Sequence, residues 1–222
     1  MARTKTLPNI EYGEDTSLPQ AIPYIDAINS LYTIPFWKDD EYFSNLDSYQ
    51  KFIKAVEKLV RTSDRYAKYK SYLVKEVGLD HCQVFTDIVN NDGDKKDATL
   101  EMHHGPIFTL YDYCCIILEY FIMMKWKIST FRVADQVLQE HEENHIQVVM
   151  LSSTVHEQVH ARNVFISPEQ AWGDLNAFIR KYAKAIGPDM RNKFNRYIDR
   201  AMLSESNDYG TFDLNNKIYL NE

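Results

Sequence analysis

Cysteine is scarce. The three in 222 residues, Cys82 and the neighbours Cys114 and Cys115, form no CxxC pair. That excludes a disulfide framework and points to a reducing compartment. A basic excess is missing too: the formal net charge is −7, which argues against a surface devoted wholly to nucleic acid while leaving room for a local basic face. The N-terminal residues MARTKTLPNIEYGED contain no apolar run with a small-residue cleavage site, so no secretory signal is read. The one long apolar stretch, Phe108 to Ile128, is interrupted by Asp112, Glu119 and Lys125. It therefore predicts a buried core helix and no membrane association. Internal repeats and low-complexity tracts are absent. What is present is an ordinary globular composition, 45% hydrophobic and 13% aromatic with 15 tyrosines, enough for one large domain.

Residues 1–45 carry Pro8, Pro19, Pro23 and Pro35 and read as an extended arm, with one short helix near Tyr24–Leu31, suited to wrapping over its own domain or a neighbouring subunit. Residues 46–203 read as a single domain and 204–222 as a polar tail. Phe52, Ile53, Val56, Leu59 and Val60 recur at helical spacing after a cap at Asp47 or Ser48. The helix, or a kinked pair, ends at Gly78. HCQVFTDIV (81–89) and ATLEMHH (98–104) are strand-like and predict a hairpin with Asp92-Gly93 in its loop. Residues 109–127 are the core helix, and Thr130 caps a helix of roughly 131–143. HIQVVML (145–151) is a strand, and Ser152 or Ser153 caps the helix that follows. Ser167-Pro168-Glu169 opens a helix to about Ala185, and Gly187-Pro188 precedes the last one, 189–203.

All seven histidines fall between His81 and His160. His103 and His104 are adjacent at the end of a strand, where side chains point to opposite sides. His156 and His160 lie four apart on a helix, one turn from each other on one face. Imidazole suits divalent metals and titrates nearest neutral pH. His81, His141 and His145 are assigned to packing, His145 being the one of these nearest the expected site.

A strand ending in His-His, a connection, a strand VVML and a helix with HxxxH resemble, in that order, the HNH (ββα-metal, His-Me finger) nucleases. LEMHHGP and LSSTVHEQVH carry the resemblance, which is closest to the His-rich site of the nuclease colicins and covers residues 98–162. The flanks have the look of HNH-like proteins of large bacteriophages. The resemblance implies an α+β, mainly α fold, with a ββα-metal core, a long helical insertion and flanking helices. It implies metal-dependent hydrolysis of DNA phosphodiester bonds. His103, His156 and His160 would be the metal ligands and His104 the general base, because a metal-bound imidazole cannot also take the proton of the attacking water. One divalent ion is expected, Zn²⁺, Ni²⁺, Mg²⁺ or Mn²⁺, with imidazole favouring the transition metals. Three departures stand out. The connection from Gly105 to His145 is about forty residues long, Gln147 stands where the family has asparagine with Asn144 three residues early, and the CxxC knuckles are missing.

Two other readings share these residues. His156-Glu157-Gln158-Val159-His160 is an HExxH motif, in which Glu157 would be the base of a zinc metalloprotease, yet the extended form is lost at Asn163 and Ile166. The second is a non-catalytic structural or assembly protein, a virion component, that keeps an HNH-like fold. For DNA, the expected contact is Lys54, Lys58, Arg61, Arg65 and Lys68, interleaved with Tyr66, Tyr69 and Tyr72. Arg180, Lys181, Lys184, Arg191, Lys193, Arg196 and Arg200 form a second basic cluster on the last helices. The expected location is the cytoplasm of a bacterial host, or the virion, with a homo-oligomer or larger assembly formed through the arm.

Overall fold

The computed structural model describes residues 37–85 and 99–202. By contacts the chain divides into Met1–Trp37 and Lys38–Glu222. The expected helix near 24–31, the 92–93 turn and the tail lie outside the described residues, and of the first unit only Trp37 is described. The second unit begins before residue 46: Asp40–Ser44 forms a short helix, α1, and Phe43 packs edge-on against Phe52.

Helices α2 (Leu46–Arg61) and α3 (Asp64–Lys75) are the kinked pair, broken at Thr62-Ser63. Asn45, rather than Asp47 or Ser48, caps α2 by accepting from the Ser48 backbone N–H at 3.0 Å. Ser63 restarts the chain as the cap of α3. Helix α4 (Leu110–Met123) is apolar almost all round and buries eight side chains, as a central helix must. A Thr109–Asp112 capping box starts it. Helix α5 (Thr130–Glu142) is capped by Ser129, one residue before the expected Thr130. Helices α2, α4 and α5 pack on one another, and the apolar run crosses this core. No helix among the described residues is long and apolar enough to span a membrane.

The strands β1 (Leu100–His104) and β2 (Val148–Ser152) pair antiparallel, with His103 opposite Val149 and His104 opposite Val148. The hairpin expected within 81–104 is thus replaced, among the described residues, by a long-range pair. Segment 81–85 instead runs beside β2, where Gln83 donates its backbone N–H to Met150 O at 2.9 Å and accepts from Met150 N at 2.7 Å through its side chain. On the same edge Trp172 bridges Val148. Neighbours on both edges explain why every residue of β2 is buried. Helix α6 (Ser153–His160) follows directly and is capped by Ser152. The helix expected over 167–185 divides. Pro168–Gln170 forms one 3-10 turn, and helix α7 (Leu175–Tyr182), capped by Asp174, starts later. Helix α8 (Pro188–Met202) ends the described chain.

Candidate metal centre

Strand β1 alternates: Leu100, Met102 and His104 are buried while Glu101 and His103 are half-buried on the other face. This period of two places His103 under α6 and sends His104 into the core. Buried Val155 fastens α6 to the core, and the four-residue spacing aims His156 and His160 at His103. The ring centroids of His103 lie 5.0 Å from those of His156 and 5.2 Å from those of His160. One ligand nitrogen from each of the three falls within 4.8 Å of the others, and the Nε2 atoms of His156 and His160 are 3.0 Å apart. Tetrahedral zinc with bonds of about 2.0–2.1 Å sets ligand nitrogens roughly 3.3 Å apart, so small rotations bring this set to coordination distance. Three imidazoles at this spacing fit a transition metal.

Two neighbours tune the trio. Glu101 Oε2 sits 2.5 Å from His156 Nδ1, which leaves Nε2 facing the other rings. A carboxylate in this place orients a ligand histidine and raises its basicity. Burial first, and then the proximity of His156 and His160, hold the His103 pKa down at about 4. The ring is neutral near pH 7, the form a metal requires. Gly105 closes the site from below, because a Cβ there would lie 2.9 Å from His103 Nε2. Neither residue was among those expected from the sequence. Glu101 was legible as the side chain two before His103 on the same strand face, and Gly105 as the residue that ends the His-His strand.

His104 is elsewhere. It is 5% exposed, its Nε2 lies 2.9 Å from His141 Nε2, and its ring stacks on Tyr66 at 5.9 Å. His141 is anchored in turn at Val137 O and meets Tyr66 and Tyr69 edge-on. Burial, followed by the neighbouring His141, drives the His104 pKa well down. The structure therefore does not bring the expected base to the trio. His104 is packed in the core, as strand alternation demands of the residue beside His103.

The supporting residues also separate. Asn144, in the left-handed region at φ 56°, accepts from Trp172 Nε1 at 3.2 Å and braces the segment before α7. Gln147 is buried and donates from its side chain to Pro168 O. Its backbone carbonyl accepts from Gly105 N–H at 3.3 Å, so it steadies the loop after His104 through the main chain. His103 supplies the third imidazole that the HExxH reading lacked, but Glu157 is exposed and not among the clustered groups. His145 is bound up with Glu140 and Glu143, at 2.8 and 3.3 Å. Glu140 also accepts from Lys181 and Tyr182, which makes this second cluster an internal ion network.

The expected DNA face is partly committed to the fold. Arg65 forks onto Glu142 at 2.8 and 2.7 Å and reaches Asp135 at 2.5 Å, and these bonds, those to Glu142 first, raise its pKa further. Arg61 lies 3.7 Å from Glu57. Tyr66 and Tyr69 are buried rather than available for stacking. Lys54, Lys58 and Lys68 remain exposed.

One comparison spans nearly the whole chain: the family described as bacteriophage G278-like virion protein matches residues 15–221. No curated protein and no solved structure matches.

Proposed function

The chain belongs to the bacteriophage G278-like virion protein family, and from that premise we propose that it is a non-catalytic structural or assembly component of the phage particle. In this reading His103, His156 and His160 hold one divalent transition metal that clips α6 to β1. Its partners are other protein subunits of the particle. The placement of His104 carries the reading: a side chain buried against His141 and Tyr66 is not positioned to take a proton from water at the trio, and general-base work requires that reach. Gradient-purified particles should contain the chain at fixed copy number by peptide mass spectrometry. The purified protein should bind about one Zn²⁺ or Ni²⁺ and leave supercoiled plasmid intact with Mg²⁺, Mn²⁺, Ni²⁺ or Zn²⁺. Nicking that disappears in His103→Ala would sink the non-catalytic reading.

One observation favours the endonuclease as second reading. The order β1, β2, α6 with three converging imidazoles is the arrangement in which a bound ion polarises a scissile phosphate. Its base would have to be a group other than His104. A zinc protease depends on the exposed Glu157 turning toward the trio, and casein digestion tests it.

A further inference from the structure

We propose that a groove beside the trio, between the end of α6 and α8, binds the phosphodiester backbone of a nucleic acid. The groove encloses about 440 Å³, and Arg162, Lys193, Arg196 and Arg200 line it together with Phe165 and Tyr197, with no carboxylate among its lining residues. It adjoins the metal centre through the chain itself. Val159 on its wall precedes His160, and Arg162 follows two residues after it.

The cations are differently engaged. Lys193 donates to Asp112 Oδ2 at 2.6 Å and so fastens α8 to the start of α4. Arg162, Arg196 and Arg200 are exposed and have no carboxylate partner among the described residues. Arg196 donates to the backbone of its own helix, at Asn192 O. Arg200 lies over the Phe165 ring, 4.5 Å from its centroid. Phe165 stacks on Tyr197 at 4.9 Å, with 24° between the planes, and the Tyr197 hydroxyl donates to Ile166 O at 2.9 Å. The stack therefore holds a guanidinium in place over the ring, so that an oxyanion meets a pre-ordered donor. Three arginines that no described carboxylate compensates, set along a concave wall, suit a run of phosphates better than one small anion.

On an acidic protein this groove gathers cations that the fold does not already neutralise. On the α2–α3 face both arginines are paired and two of the tyrosines are buried, which leaves the exposed lysines Lys54, Lys58 and Lys68 without an ordered aromatic stack beside them. The proposed nucleic-acid surface thus lies on the second basic cluster of the sequence, joined by Arg162, rather than on residues 54–68. The proposal does not require a metal at the trio, so binding is measured with the metal removed and its failure leaves the virion and metal readings untouched.

The test is fluorescence anisotropy of a labelled oligonucleotide in EDTA at about 50 mM salt, where phosphate binding is strong. Single-stranded and duplex arms show which form the groove prefers, and binding of either supports the proposal. Arg196→Glu/Arg200→Glu should weaken binding tenfold or more and lower the salt slope by roughly 0.7–0.9 for each phosphate left without its cation. Arg162→Glu alone should act in the same direction. Lys54→Glu/Lys58→Glu should stay within twofold of the parent. All of these positions are exposed, and a thermal melt verifies that each variant folds. Absent binding by the parent chain, unchanged affinity in Arg196→Glu/Arg200→Glu, or displacement of the oligonucleotide by polyglutamate as readily as by unlabelled oligonucleotide would overturn the proposal. The last result would identify an acidic polypeptide as the occupant.

Discussion

Glu101 decides which nitrogen of His156 faces the other two imidazoles, because the carboxylate occupies Nδ1. Glu101→Ala should leave the fold intact and weaken Zn²⁺ or Ni²⁺ binding about ten- to a hundredfold, read by competition with a chromogenic chelator. Equal affinity would remove its orienting role. Gly105→Ala tests the opposite wall, since the added methyl must displace the His103 ring and should lower metal affinity with little change in stability. His104 behaves differently from its neighbour. His104→Ala opens a cavity and leaves His141 without its partner, which should cost roughly 2–4 kcal/mol in urea unfolding while metal stoichiometry stays the same. A stability change under about 0.5 kcal/mol, the range of an ordinary surface substitution, would place His104 outside the core.

Among the elements, α6 has only eight residues, too few to be stable alone in water. Val155 and the Ser152 cap anchor its start, whereas its last turn carries His160. Adding Zn²⁺ should slow amide hydrogen exchange across α6, and EDTA should restore it, with the buried amides of α4 unaffected; equal exchange in both conditions counts against the clip. β1, β2 and α6 were legible because alternation, the VVML run and the serine cap all point to the same elements. The partner of β1 was not, since a hairpin is a local expectation and the observed pair joins residues about fifty apart. The helix expected from Ser167 failed for a related reason. Trp172 exchanges two backbone hydrogen bonds with Val148, both 2.9 Å, and that extended pairing interrupts the helical pattern until Asp174. Spacing alone gave the two histidine pairs, and the choice of His103 to join His156 and His160 came from the resemblance to the HNH nucleases. The fate of His104 was not legible, because alternation says that two neighbours diverge but not which face of the strand is covered by Tyr66 and His141.

For the whole molecule, the core carries an acid-sensitive element. Burial holds the His141 pKa down at about 4, against 6.5 for the unfolded chain. A depressed histidine pKa means that the unfolded state binds more protons, so stability is full above about pH 6.5 and falls as pH drops toward 4. The loss attributable to His141 is on the order of 3 kcal/mol. Urea unfolding at pH 7.5 and 4.5 measures the combined loss, and His141→Phe should make the profile shallower, with buried His104 and half-buried His103 carrying part of the remainder. A profile equally steep in that variant would assign the acid response to other groups.

The shortness of α6 has one more consequence. Its C-terminal end supplies both a metal-trio histidine and, two residues on, Arg162 of the basic groove. Ordering that end for one ligand prepares it for the other, and linkage makes such an effect reciprocal. If Zn²⁺ tightens oligonucleotide binding by some factor, the oligonucleotide must tighten Zn²⁺ binding by the same factor. One turn of helix would then let a particle register whether its nucleic acid is in place through the occupancy of a metal ion.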